Sequence, residues 1–274
     1  MAHGIGGGPF KHLLRLRLFA EPGRAGASAV GSSPTSRMAG KGTVGLMTTA
    51  YGHSRADVRR WPDDPDVRRT LEEYLDYLDK LPGGSRPVES LLNGAGLDFT
   101  GADLSGLDLL EAQLSEATLS GVRLVGADLY GAWLIGAVLQ GADLSQCSLR
   151  KAQGRTCDAQ NAVLHGADLE RAEFEDADFR RADFRGAYFG RASLFGADLR
   201  GADLRECMFG RSGYSTSFTE ARLAGCLAED AAGMVRGPID VGADSQELLD
   251  GAALQRWFAE LGAPLVQVRQ PAEQ

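Results

Sequence analysis

From Phe99 to Phe209 a large apolar side chain stands at every fifth position, with small or polar residues between. The series runs Leu104, Leu109, Leu114, Leu119, Leu124, Leu129, Leu134, Leu139, Leu144 and Leu149 and pauses at Gly154 and Ala159. It resumes with Leu164, Leu169, Phe174, Phe179, Phe184, Phe189, Leu194, Leu199 and Leu204. Two positions before most of these sits Ala or Cys, as at Ala102, Ala127, Cys147 and Ala182. A period of five fits neither the 3.6-residue turn of a helix nor the two-residue pleat of a strand. No ordinary element keeps this apolar set on one face, so the backbone must turn a corner in every repeat.

The flanks follow other rules. Asp64-Pro65 followed by Val67, Leu71, Tyr74, Leu75 and Leu78 supplies an N-cap, a proline at the first helical position and one apolar stripe. This predicts a helix over residues 65–80, ended by Leu81-Pro82-Gly83-Gly84. A second helix is expected after Asp244 with Glu247, carrying Leu248, Leu249, Ala252, Ala253, Trp257, Phe258 and Leu261, with Gly262 near its end. Residues 1–60 are rich in Gly, Ala, Ser and Arg without apolar periodicity and are expected to be unstructured. The expected organisation is a leader over 1–60, a helix and linker over 61–91, repeats over 92–235, and a capping or dimerisation helix within 236–274.

Units such as Ala127-Asp128-Leu129-Tyr130-Gly131 and Ala197-Asp198-Leu199-Arg200-Gly201 resemble those of the pentapeptide-repeat family. The resemblance implies an all-β solenoid, a right-handed, four-sided parallel β-helix in which four pentapeptides make one coil. About seven coils, stacked roughly 4.8 Å apart, are expected, with α-helices flanking both ends. The central Leu or Phe and the small residue two before it then point inward, which fills a narrow interior at native density. Under this winding, Phe174 and Phe179 fall one coil beyond the small residues Gly154 and Ala159, and larger rings would fill that space. The other reading is that residues 151–162 bulge out as a loop. The phase slips near Ser212–Ser217, after which Phe218 and Leu223 restart the period one position early, which predicts a small loop before the last coil.

Charge changes the picture next. The formal charge of −8 is uneven: residues 1–93 hold 13 basic and 10 acidic side chains, 94–235 hold 13 and 21, and 236–274 hold 3 and 6. Within the repeats, 94–178 carry 14 acids against 5 bases, whereas 179–235 carry 7 against 8. An acidic rod disfavours direct nucleic-acid binding. No apolar run reaches the roughly 18 residues of a membrane span, so a cytoplasmic protein without a membrane partner is expected.

Catalysis needs a nucleophile, base or metal set able to converge. His3, His12 and His53 lie in the leader and His165 on the outside of the repeats; the four cysteines lack metal-ligand spacing. No enzyme, cofactor or metal site is implied. The aspartates one before the central residue are read as solvating the face and bonding nearby backbone. What remains is binding, as a scaffold for a protein partner. The candidate patch is Tyr130, Trp133, Ile135 and Phe195, apolar side chains at outward sites, accompanied by Val125 and Val138. Either a partner covers it or the helix at 65–80 or its linker folds back over it. Family resemblance adds an alternative, imitation of DNA toward DNA gyrase or another topoisomerase with protection from a drug or toxin. Its acidic surface would be Asp98, Asp103, Asp108, Glu111, Glu116, Asp128 and Asp143. Resemblance also implies a homodimer through the C-terminal helix.

Overall fold

A computed structural model describes residues 51–81, 91–210 and 213–269. Expectations for residues 1–50 and 82–90 lie outside the described residues.

Each repeat closes a tight turn in which the small residue donates to the carbonyl of the preceding central residue, as from Ala102 N to Phe99 O at 3.0 Å and Ala127 N to Leu124 O at 3.0 Å. The residue before that donor has positive φ, for example Gly101 at 79° and Gly126 at 66°. A positive φ at the third position alone is the signature of a type II turn. The other donors go to neighbouring coils. Arg123 N donates to Ala102 O at 3.1 Å, while Leu104 N donates to Arg123 O at 2.8 Å and Gly106 N to Val125 O at 2.9 Å. Only the N–H just after the central residue is left over, and Asp one before the centre accepts it: Ser105 N bonds Asp103 Oδ1 at 3.1 Å and Tyr130 N bonds Asp128 Oδ1 at 3.0 Å. The aspartates thus complete the donor accounting of the repeat.

The bridges pair residue i with i+20 in parallel along four ladders, such as Asn93–Gln113–Trp133–Gln153–Glu173–Ser193 and Asp108–Asp128–Ser148–Asp168–Tyr188–Met208. Central residues and the small residues two before them are buried along the whole series. The ladders pass unbroken through Gln153 and Asp158, so residues 151–162 stay in the coil. In the next coil Phe174, Phe179, Phe184 and Phe189 form a ring of aromatics, with successive centroids 5.2, 5.0 and 5.2 Å apart. A side chain on Gly154 would collide with the Phe174 ring. The expected compensation is present at that pair.

At the N-terminal end the leader is ordered earlier than expected. Gly52 bridges Leu107 and Arg60 bridges Asp103, with Asp108 N donating to Gly52 O at 2.8 Å and Asp103 N to Arg60 O at 2.9 Å. Two sides of the first coil would otherwise have open backbone groups, and residues 51–60 occupy them. Helix α1 (Pro65–Lys80) begins at Asp64, whose carboxylate accepts from Asp66 N and Val67 N at 2.8 and 3.1 Å. Its stripe Val67, Leu71, Tyr74, Leu75 and Leu78 is buried in the same core as Leu92, Leu104 and Leu107, and Tyr74 OH donates to Asp108 O at 2.6 Å.

At the other end Ser193 bridges Ser217, a step of 24 residues. A four-residue insertion after Phe209 therefore causes the phase slip. Beyond it, β1 (Thr216–Ser217), β2 (Ala232–Arg236) and β5 (Leu265–Val268) pair in parallel in the order β1-β2-β5. The short strands β3 (Ile239–Asp240) and β4 (Leu248–Leu249) pair antiparallel. Helix α2 (Gly251–Glu260) is capped by Asp250, not by Asp244. The reason lies in Asp240, whose Oδ1 accepts from Gly242 N and Glu247 N at 3.1 and 2.9 Å and closes a hairpin over the expected cap. Leu254 and Phe258 of α2 are buried, with Phe258 6.2 Å from Phe209.

Candidate functional site

One side of the square gathers outward residues from both candidate sets. Trp133 lies on its ladder between Gln113 and Gln153, while Tyr130 and Ile135 stand at the two corners of the same coil, where chain direction changes on either side of Gly131 and Gly136. The indole is 41% exposed; α1 does not cover it, because its apolar face is spent on the first coil. One coil earlier, Glu111 and Glu116 occupy the matching corners. A side chain on Gly131 would meet Glu111 Cγ at 3.1 Å, and one on Gly136 would meet Glu116 Cγ at 3.6 Å. The Glu111 side chain therefore lies over Gly131 and the Glu116 side chain approaches Gly136, the two corner glycines on either side of Trp133 in the chain. Neither is in an ion pair among the described residues. Lys151 Nζ sits 5.0 Å from the Tyr130 ring.

Phe195 shares the corner column of Ile135 but not its surroundings. Arg155 and Glu175, bonded at 2.6 Å, stand between them. Phe195 is instead 40% exposed beside the β3–β4 hairpin. The structure brings Tyr130, Trp133 and Ile135 together and leaves Phe195 in a separate place.

The other acidic candidates spread over three ladders. Asp98 and Asp103 begin two of them, Asp143 lies two coils beyond Asp103, and Asp108 and Asp128 are direct neighbours on a third. Each gives one oxygen to its own turn: Asp98 accepts from Thr100 N at 2.9 Å, Asp108 from Leu110 N at 3.3 Å and Asp143 from Ser145 N at 3.2 Å. Bonds from Thr100 hold the Asp98 carboxyl below its ordinary range. Arg123 lies between Asp103 and Asp143, at 3.7 and 3.9 Å.

In the second half of the rod, arginine two after the aspartate turns each carboxylate into a clamp. Arg180, Arg185, Arg200 and Arg205 each reach Asp178, Asp183, Asp198 and Asp203, respectively, with Nη2 at 2.6 Å and Nε within bonding distance. These bonds hold Asp183 and Asp203 below the ordinary carboxylate range. The clamps fall where bases balance acids, so the net negative charge of the repeats lies in residues 94–178.

The four cysteines are free and buried, and burial pushes the thiols of Cys157 and Cys226 up to about 12, far from a reactive thiolate. Among the described residues no group of His, Cys, Asp and Glu is arranged to hold a metal ion. Sequence reasoning missed that Glu111 and Glu116 belong to the Trp133 side; the period of 20 was the available signal, since it sets them one coil before Gly131 and Gly136.

Four parallel ladders, an inward file of Leu, Phe and Ala, and an outer skin of local turns define a repeat β-helix protein whose variable chemistry is all on its surface. The sequence pattern described as pentapeptide repeats is matched in 8 copies by residues 98–134, 137–176 and 172–210, and the chain belongs to that family. Among solved structures it is similar to a pentapeptide repeat protein of the Arabidopsis thaliana thylakoid lumen, at 30% identity over 42% of this chain and 69% of that one, with a TM-score of 0.30. It is similar to a pentapeptide repeat protein (Rfr23) of the cyanobacterium Cyanothece 51142, at 27% identity over 34% of this chain and 62% of that one, with a TM-score of 0.32. A trypsin-treated form of QnrB1, a plasmid-mediated fluoroquinolone resistance protein, matches at 18% identity over 61% of this chain and 83% of that one, with a TM-score of 0.44. No curated protein sequence matches the chain.

Proposed function

We propose that the chain is a non-catalytic scaffold that binds a protein through the Trp133 side of its rod. The rod itself is proposed to wind right-handed in about seven coils of 20 residues, with α1 and α2 closing its ends. The observation that carries the binding reading is an indole 41% exposed on a side whose corners one coil earlier are Glu111 and Glu116, neither of them in an ion pair among the described residues. The fold does not need it there: the ladder runs equally well through Gln113 and Gln153. An aromatic anchor with a charged rim suits a partner that presents an apolar socket bordered by basic groups. The test is affinity capture from the native cell with the wild-type chain and with Trp133→Ala. A partner retained by the first and lost from the second, at unchanged melting temperature, supports the reading. Identical captured sets, or a lower melting temperature alone, would show the indole to be a structural element.

A second reading, imitation of DNA toward gyrase or another topoisomerase, is supported by the net negative charge of the first half, where residues 94–178 carry 14 acids against 5 bases. The arginine clamps of the second half confine any such surface to the coils holding Asp98, Asp103, Asp108, Glu111, Glu116, Asp128 and Asp143. A supercoiling assay with purified gyrase and a fluoroquinolone tests it; neither protection nor inhibition at micromolar protein removes it. Self-association through the C-terminal end is proposed to use the outer edge of β5, where Leu265 is 71% exposed, because Leu254 and Phe258 of α2 are spent on the core. Sedimentation of Leu265→Glu should give a lighter species than wild type; equal values argue against that pairing.

A further inference from the structure

Between the outer corner of the last coils and the β3–β4 hairpin lies a cleft of about 370 Å³, within the size range of roughly 300–1,000 Å³ typical of ligand sites. One wall is a corner column in which Asp176, then Phe195 and Gly196, then Glu220 follow one another in successive coils. The opposite wall is the hairpin loop with Asp244. Asp240, only 7% exposed, pins that loop through its bonds to Gly242 N and Glu247 N, so the wall is fixed by the fold.

Three features of the cleft point to one kind of occupant. Phe195 lines the cleft and is 40% exposed. A side chain on Gly196 would collide with the Asp176 carboxylate, so that carboxylate lies across the glycine next to the ring. Finally, the charges do not balance. Arg222, the cation lining the cleft, is taken up by Asp198 at 3.5 Å and Asp240 at 4.0 Å, while Asp176, Glu220 and Asp244 have no ion pair among the described residues.

We propose that this cleft binds an arginine side chain presented by a protein partner. A guanidinium is planar and weakly hydrated, so it can stack on the Phe195 ring while its fork of N–H donors meets Asp176 and Glu220. A lysine ammonium, compact and strongly hydrated, gains less from a flat ring beside two separated carboxylates. The site is separate from the Trp133 side, with the Arg155–Glu175 pair between Ile135 and Phe195.

The test titrates N-acetyl-arginine amide into the isotopically labelled full chain and follows backbone amide shifts. Saturable shifts are expected at Gly196, Glu220 and residues 242–246, with N-acetyl-lysine amide binding more weakly. Phe195→Ala leaves net charge unchanged and should weaken binding about threefold or more. Asp176→Asn, isosteric and exposed, should do the same and carries the test if Phe195→Ala lowers the melting temperature. Trp133→Ala should leave the titration unchanged, so failure here and failure of the Trp133 reading are distinct results. Shifts that do not saturate, that spread evenly over the acidic ladders, or that survive both cleft substitutions would overturn the proposal.

Discussion

The Phe174 ring fills the space that a side chain on Gly154, one coil earlier, would need. Two layers of the core thus share one volume, and neither residue is explained without the other. Gly154→Ala should overpack the site and cost about 1–3 kcal/mol. Phe174→Leu should open a void over the glycine and cost roughly 1–2 kcal/mol. The double change Gly154→Ala with Phe174→Leu gives the added methyl room and should be less damaging than the two single changes added together. Urea unfolding of the four proteins checks this; additive losses would mean that the two layers adapt separately.

The corners make a different prediction. Thr156 sits in the left-handed region with φ of 54°, a conformation that costs a β-branched residue of order 1–3 kcal/mol. Thr156→Gly should raise stability by about 0.5–1 kcal/mol after the extra freedom of glycine in the unfolded chain is subtracted. The reverse experiment is Gly141→Ala, at φ of 63° with no atom within 4 Å of the added carbon. It isolates the backbone cost from any clash and should destabilise. A gain at both positions, read from melting temperature, would contradict the assignment of these corners.

Acid should loosen the second half of the rod. The bonds from Arg185 and Arg205 hold the Asp183 and Asp203 carboxyls below their ordinary range. Carboxyls whose folded value is depressed contribute stability above the unfolded value, about 3.9, and that contribution is lost as pH falls through the lower folded value. Melting temperature is therefore expected to be level between about pH 5 and 7 and to fall below about pH 4. Asp183→Asn with Asp203→Asn should melt lower at neutral pH and show a shallower fall in acid. Parallel curves for the two proteins would remove these clamps as a source of the acid response.

Much of this molecule can be read from its chain. The five-residue period fixes which side chains face inward, because only one corner per repeat keeps Leu or Phe and the preceding Ala on the same side. The stripe from Val67 to Leu78 and its Asp64 cap specify α1, since both signals act within a few residues. Even the Gly154–Phe174 pairing follows once the coil length is known, for a register of 20 makes distant positions neighbours. Tertiary structure alone decided the rest. Residues 51–60 carry no periodicity, and they are ordered by the open backbone groups at Asp103 and Asp108. Asp244 has the local signals of a helix cap, but Asp240 closes a hairpin there, and the helix starts at Asp250 instead. Phe195 belongs to the hairpin cleft and not to the Trp133 side, because the Arg155–Glu175 pair interrupts the column between them. Inward positions are set by a repeat that one sequence states many times. Surface sites depend on which charges pair and where the chain folds back at its ends, and these are contacts between segments with no pattern in common.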